Sequence, residues 1–108
     1  MARTVSWTET ATQDLEEAAA FINRDSRFYA AALVREARAA ARALPTFAER
    51  GRVVPESGAP DIRELFISNY RLIYQVTVDH VFILAFVHGA RDLAALWEPR
   101  GGPRERST

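Results

Sequence analysis

The sequence predicts an α+β fold: an N-terminal strand, an antiparallel helical hairpin and then a three-stranded antiparallel meander, with the helices on one face of the sheet. Three observations lead to this fold. The first residues alternate polar and apolar side chains, which is typical of a short strand. Two Ala-rich segments then repeat apolar residues every three or four positions, as amphipathic helices do. Three strand-like runs follow, and helices packed against one face of an antiparallel sheet are the simplest arrangement for this order.

The first strand is expected over Arg3–Trp7. Either Thr8 or Thr10 can cap the helix that follows, because a threonine hydroxyl accepts a hydrogen bond from a free amide of the first turn. The apolar positions of this helix lie on one side, and the pattern ends between Asn23 and Asp25.

Ser26 can cap the second helix, whose apolar stripe runs from Ala30 to Leu44. Pro45 ends it, since proline has no amide proton to continue the helical ladder. Residues 45–60 contain three prolines and two glycines and are expected to form an ordered loop.

The meander consists of three runs rich in β-branched and aromatic residues: Asp61–Ile67, Tyr70–Val78 and Val81–His88. The residue pairs between them are short enough for two-residue hairpin turns. A helical turn is expected over Asp92–Trp97. Residues 1–98 are thus expected to form one domain and residues 99–108 a flexible tail.

Two-residue turns in both hairpins divide the strand side chains between two faces of the sheet. One face is apolar and is expected to meet the helices: Leu65, Ile67, Tyr70, Leu72, Tyr74, Val76, Ile83, Ala85 and Val87. The opposite face mixes charged and large apolar groups: Ile62, Glu64, Phe66, Arg71, Ile73, Gln75, Phe82, Leu84, Phe86 and His88. No helix is left to cover that face, and exposed apolar areas of such size are unusual. A partner chain, a second copy, or a loop or the tail of the same chain could cover it.

The composition excludes several kinds of catalytic and binding site. There is no cysteine, so disulfides, cysteine–zinc sites and thiol nucleophiles are excluded, and a cytoplasmic location is expected. The formal net charge is zero, which predicts no general attraction to nucleic acid. No apolar run is long enough to cross a membrane. Neither a metal nor a cofactor is expected, because the chain has no metal-ligand spacing and no glycine-rich phosphate loop.

Several motifs resemble the RelE/ParE superfamily of bacterial toxins. They are Arg63-Glu64-Leu65, the run from Tyr70 to Val76, and Val87-His88-Gly89-Ala90-Arg91-Asp92, together with the Ala11-Asp14-Leu15 helix and the region from Gly51-Arg52 to Pro55. The resemblance spans Val5 to Leu93. It implies the toxin of a type II toxin–antitoxin pair, neutralised by a cognate antitoxin that wraps it as extended strand and helix. Such a partner would suit the uncovered face.

The superfamily has two branches with different targets. RelE-like members cut messenger RNA on the ribosome, whereas ParE-like members inhibit DNA gyrase without known hydrolytic chemistry. Arg71 and Arg91 match catalytic arginines of the nuclease branch. However, the basic residues of its preceding strand would fall near Ile62 and Glu64, and neither of these is basic. Its C-terminal tyrosine falls near Trp97, whose indole nitrogen only donates. These departures favour the ParE-like branch.

The resemblance and the two faces together give the candidate site residues. If the chain is a ribonuclease, Arg71, Arg91 and His88 are the catalytic candidates, with His88 as the titratable group. The expected antitoxin-binding residues are Phe66, Arg71, Ile73, Phe82, Leu84, Phe86 and Arg91. Three functions remain open: a gyrase-directed toxin, a ribosome-dependent mRNA endoribonuclease, and a degenerate member that only binds a partner, or DNA through its antitoxin.

Overall fold

A computed structural model describes residues 3–90. Its elements are β1 (Thr4–Trp7), α1 (Glu9–Asn23), α2 (Arg27–Ala43), β2 (Arg52–Val53), a 3₁₀ turn (Pro55–Ser57), β3 (Ile62–Ile67), β4 (Tyr70–Val76) and β5 (His80–His88). The predicted class and element order are confirmed, with β2 as an addition inside the expected loop. The predicted helical turn at Asp92–Trp97 and the tail lie outside the described residues.

The strands form a mixed sheet in the order β1-β5-β4-β3-β2. β1 pairs in parallel with β5, whereas the other neighbours are antiparallel. The sheet is therefore not strictly antiparallel. Parallel pairing needs a long connection, and both helices and the other strands lie between β1 and β5 in the chain.

Both helices begin at the side-chain caps that the sequence offered. The Thr8 hydroxyl accepts from the Ala11 amide at 3.1 Å and donates to the Ile83 carbonyl at 2.9 Å, so the same cap ties α1 to β5. The Ser26 hydroxyl accepts from the Tyr29 amide at 3.1 Å and starts α2. A helix N-cap of this kind stabilises by about 1 kcal/mol.

The main core lies between the helical hairpin and one face of the sheet. Its buried members come from both helices, the segment after α2, β4 and β5: Ala11, Leu15, Ala18, Leu33, Ala37, Ala41, Leu44, Ala48, Leu72, Tyr74, Val81, Ile83 and Phe86. The small alanine side chains allow the helices to lie close to each other and to the strands.

The first hairpin has the predicted register, with Ile67 opposite Tyr70 and Glu64 opposite Ile73. The second hairpin does not. Val76 pairs with Val81, so the connection is longer than two residues, and the register shifts again between Ile73 and Tyr74. This irregularity leaves one extra residue in β5, because Tyr74 pairs with Ile83 but Ile73 pairs with Ala85.

Side chains alternate along a strand, so the extra residue reverses which side chains of the last part of β5 face the helices and which face outward. Phe86 pairs with Leu72 and His88 with Tyr70, so both lie on the helix side. The predicted position of Phe86 on the outer face is therefore wrong. Its side chain is 2% exposed and stacks on Tyr70 at 5.0 Å. Ala85 and Val87, predicted for the helix side, lie on the outer face.

A second apolar cluster covers the middle of that outer face. Ile73 and Leu84 are buried there with Ala85 and Val87, packed with residues of the loop and the start of β3: Val54, Ala59 and Ile62. The sequence analysis left open whether a partner chain, a second copy or a segment of the same chain covers the outer face. In the middle of the face, a loop of the same chain does so. Ile73 and Leu84 are thus buried within the chain, while Phe82 is half-buried and Phe66 is exposed.

Candidate functional site: an exposed phenylalanine between two arginines

The uncovered end of the outer face gathers two arginines, two glutamates and one phenylalanine. Strand pairing builds the group, because Arg52 lies opposite Glu64 and Phe66 lies opposite Arg71. Paired residues project to the same side of the sheet. Glu56, on the 3₁₀ turn, completes the cluster, which we call the Phe66 site.

Glu64 is the buried centre of the Phe66 site, with 1% of its surface exposed. Its carboxylate accepts from Arg52 Nε at 2.6 Å and from an Arg71 terminal nitrogen at 3.3 Å. Burying a carboxylate is costly unless cations and hydrogen bonds compensate it, and here two guanidinium groups do so.

Arg71 is held on several sides, and its side chain is 14% exposed. Besides Glu64, it lies 3.7 Å from the Glu56 carboxylate and donates to the Gly89 carbonyl at 3.1 Å. Its Nε is buried and has no hydrogen-bond partner among the described residues. Arg71 is therefore fixed mainly by the Glu64 carboxylate and the Gly89 carbonyl.

Phe66 is 55% exposed and lies between the two guanidinium groups. The Arg52 and Arg71 guanidinium carbons lie 5.6 and 5.7 Å from the centre of the ring, within cation–π range. An exposed aromatic ring with flanking arginines has the composition of protein-interface hot spots. Because two glutamates balance the two arginines, the site offers directional contacts rather than net charge.

The structure does not bring together Arg71 and His88, two of the three ribonuclease candidates. Arg71 pairs with Val87 on the outer face, whereas His88 pairs with Tyr70 on the helix side. The His88 ring meets the Tyr70 ring edge-on at 5.4 Å, and its Nδ1 accepts from the Ala90 amide at 3.1 Å. The two side chains thus point to opposite sides of the sheet. Arg91 lies outside the described residues.

The sequence analysis did not identify Arg52 and Glu56 as members of the site. Arg52 follows Gly51 in a segment that was interpreted as loop, so its pairing with β3 had no local signal. Glu64 did carry a local signal in the sequence. A carboxylate in mid-strand between the apolar same-face neighbours Ile62 and Phe66 needs a cation.

Gly51 and Tyr74 hold β2 beside β3 and so position Arg52. The Tyr74 hydroxyl accepts from the Gly51 amide and donates to the Ala48 carbonyl, each at 2.9 Å. A Cβ at Gly51 would lie 2.4 Å from the Glu64 carbonyl oxygen, so only glycine fits there. Burial raises the pKa of the Tyr74 hydroxyl, against a smaller opposing effect of the Gly51 hydrogen bond.

A second surface feature is a cavity of about 590 Å³ between β1 and the two helices, which we call the β1 groove. Its lining is apolar at the centre and charged at the margin: Val5, Trp7, Thr12, Leu15, Glu16, Ala19, Val34, Arg38 and Arg42. β1 is an edge strand of the sheet. Arg38 and Arg42 are exposed and form no ion pair within residues 3–90.

Two kinds of site do not occur in the part of the chain that the structure describes. Residues 3–90 contain no group of three histidine or carboxylate side chains that could hold a metal ion. No helix in the same range has the length and apolarity to cross a membrane.

Comparison with known proteins gives one family match and several structural likenesses. The family model for the ParE toxin of the type II toxin–antitoxin system parDE matches residues 5–93. The chromosomal ParDE system of P. aeruginosa is 20% identical, with a TM-score of 0.65, over 81% of this chain and 96% of that one. The RelBE2 toxin–antitoxin complex of Mycobacterium tuberculosis is 23% identical, with a TM-score of 0.52, over 82% and 99%. Comparison with curated proteins gives no significant match.

Proposed function

The chain belongs to the ParE toxin family of type II toxin–antitoxin systems, and from this premise we propose that it arrests growth by inhibiting DNA gyrase, with no hydrolytic chemistry of its own. The two solved structures described above are toxin–antitoxin systems, which supports an antitoxin as the partner of this chain. The proposal concerns the target and the surfaces that bind the antitoxin.

The single observation that carries the choice of target is the pairing of Arg71 with Glu64. Cleavage of RNA needs a base, an acid and a cation that is free to stabilise phosphate charge. Arg71 lies against the buried Glu64 carboxylate and near Glu56, so a phosphodiester approaching it meets two negative groups. His88, the candidate base, projects from the other face. This arrangement favours a toxin that acts by binding.

The Phe66 site is the surface we assign to the antitoxin on the outer face. Phe66 is the exposed apolar anchor. Arg52, whose side chain is 59% exposed, lies beside it as a donor for acidic side chains, whereas Arg71 is held by Glu64. Of the residues predicted from sequence, Phe66, Arg71 and the half-buried Phe82 lie on this face within reach of a partner. Arg52 joins them.

The β1 groove suits another segment of the same antitoxin. Its apolar floor fits the apolar side of an amphipathic helix, a common mode of peptide recognition. The unpaired Arg38 and Arg42 at its margin select a helix with acidic residues on that side. A chain that reaches both surfaces would wrap around the toxin.

Gyrase and the antitoxin are cytoplasmic proteins, so the proposed function places the chain in the cytoplasm. The absence of cysteine agrees with that compartment.

The test is induced expression with parallel assays of replication and translation. Growth arrest with filaments, loss of plasmid supercoiling and initially intact translation is the expected result, and co-expression of the antitoxin should restore growth. Rapid cleavage of messenger RNA in the ribosomal A site would instead make the chain a ribonuclease. Normal growth at confirmed soluble expression would make it a degenerate, partner-binding member.

A further inference from the structure

The end of the helical hairpin carries three exposed aromatic side chains that neither surface above uses. Phe21 lies in the last turn of α1, and Phe28 and Tyr29 lie in the first turn of α2. They are 62%, 71% and 65% exposed, respectively. Only a short connection separates the helices, so the three rings lie at one end of the hairpin. We call them, with Arg24 and Arg27, the hairpin tip.

These rings do not serve the core of the toxin. Near the tip, Ala30 and Leu33 are buried, and the partly buried Ile22 packs on the main core. The Phe28 and Tyr29 rings contact each other edge-on at 5.4 Å, and the Arg24 guanidinium lies 5.5 Å from the centre of the Phe21 ring. Three large exposed aromatics at one end of a helical hairpin are unusual for a surface without a binding role.

The charges of the hairpin tip indicate the kind of partner. Arg24 and Arg27 are exposed and form no ion pair within residues 3–90. Asp25, between them in the chain, is also exposed, so the two arginines outnumber one acidic group. A second copy docked tip to tip would bring together two surfaces of like net charge, which disfavours self-association. Aromatic rings with unpaired arginines instead complement an apolar pocket edged by acidic side chains.

We propose that the hairpin tip is the surface that contacts the toxin's target protein, at an apolar pocket bordered by carboxylates. The proposal rests on the proposed function, in which the target is DNA gyrase. The tip shares no residue with the Phe66 site or the β1 groove. Inhibition of the target and binding of the antitoxin are therefore separable by mutation.

The experiment compares two triple variants with the wild type in a supercoiling assay with purified gyrase and relaxed plasmid. The tip variant is F21A/F28A/Y29A. The matched control, E9A/Q13A/R35A, replaces exposed residues on the same helices away from the tip. Circular dichroism monitors the fold, and titration with the antitoxin gives the antitoxin affinity.

We expect the tip variant to fold and to bind antitoxin within about twofold of wild type. It should inhibit gyrase at least about tenfold less, about 1.4 kcal/mol. The control should inhibit like wild type.

Each other outcome overturns the proposal. A folded tip variant that inhibits gyrase as strongly as the control removes the tip from target recognition. Sedimentation that shows a wild-type dimer and a monomeric tip variant would assign the tip to a second copy. Loss of DNA binding by the tip variant, with intact gyrase inhibition, would assign it to nucleic acid. If the triple variant does not fold, the single variant F28A, at the most exposed ring, is compared with wild type in the same assay. Wild-type protein that does not inhibit gyrase refutes the proposed function itself, and no variant is needed to show it.

Discussion

The Glu64 carboxylate lies 3.3 Å from the Arg71 guanidinium across the β3–β4 pair, and the Glu64 side chain has no exposed surface. The contact makes Arg71 part of the folded scaffold as well as part of the candidate site. Glu64 also holds Arg52 at 2.6 Å, so one buried carboxylate fixes both cations that flank Phe66. The shape of the Phe66 site therefore depends on Glu64.

Replacing Glu64 with glutamine should destabilise the fold. The amide keeps the shape of the side chain but removes the charge, which leaves the largely buried Arg71 without its main counter-ion. Breaking a buried pair in this way costs about 3 kcal/mol, and urea unfolding measures it. Glu56→Gln is the matched control, because that pair is longer and Glu56 is partly exposed, so the change should be below about 1 kcal/mol. Equal stability of Glu64→Gln and wild type would show that the pair contributes nothing.

Phe86→Ala and Phe66→Ala should have opposite consequences, although both residues are phenylalanines of the same sheet. Phe86 is buried in the main core, and its truncation should lower the free energy of unfolding by about 3–5 kcal/mol. Phe66 is more than half exposed, and its truncation should change stability by less than about 1 kcal/mol. It should weaken antitoxin binding by about 2 kcal/mol if Phe66 is a hot spot. A stable Phe86→Ala protein with weakened antitoxin binding would contradict the observed register.

Tyr74→Phe should destabilise the protein because it removes the hydroxyl that serves both Gly51 and Ala48. Leaving those buried backbone groups without a partner costs about 1–3 kcal/mol. Chemical denaturation at neutral pH gives this difference.

The same variant should also change the dependence of stability on alkaline pH. Burial raises the pKa of folded Tyr74 above its ordinary value of 10.0, so above pH 10.0 the unfolded chain releases this proton first. The stability contributed by the neutral hydroxyl is complete below pH 10.0 and is lost as the pH rises through the folded pKa. Wild-type stability should therefore fall more steeply above pH 10.0 than that of Tyr74→Phe. Parallel curves for the two proteins would contradict the burial of an un-ionised hydroxyl.

Charge reversal at the margin of the β1 groove should weaken the antitoxin complex. Arg38→Glu and Arg42→Glu place acidic groups where we expect acidic antitoxin side chains, so affinity should fall at least about tenfold. The loss should grow as salt is lowered, since screening is then weaker. Arg35→Glu is the control, because Arg35 is exposed on the same helix but does not line the groove. Equal losses at all three positions would indicate a general charge effect and not a groove.

The amino-acid sequence by itself determined the elements whose signals are local. The caps at Thr8 and Ser26, the apolar stripes of the two helices and the short turn of the β3–β4 hairpin are each encoded within a few residues. Their positions in the structure follow the prediction. The motifs from Arg63 to Asp92 likewise indicated the family that the comparisons show.

Only the tertiary structure decided which side of β5 faces the helices. Residues 81–87 are apolar without interruption, so either register buries apolar groups and the pattern cannot choose between them. The shift appears in the pairing of β4 with β5, and the amide of Phe86, beyond it, donates to the Asp14 carboxylate, which comes from α1, 72 positions earlier in the chain. The partners of Glu64 are non-local in the same way, because Arg52 reaches it only once β2 has paired with β3. Contacts between segments far apart in the chain leave no local pattern, and they placed Phe86 in the core and left Phe66 at the surface.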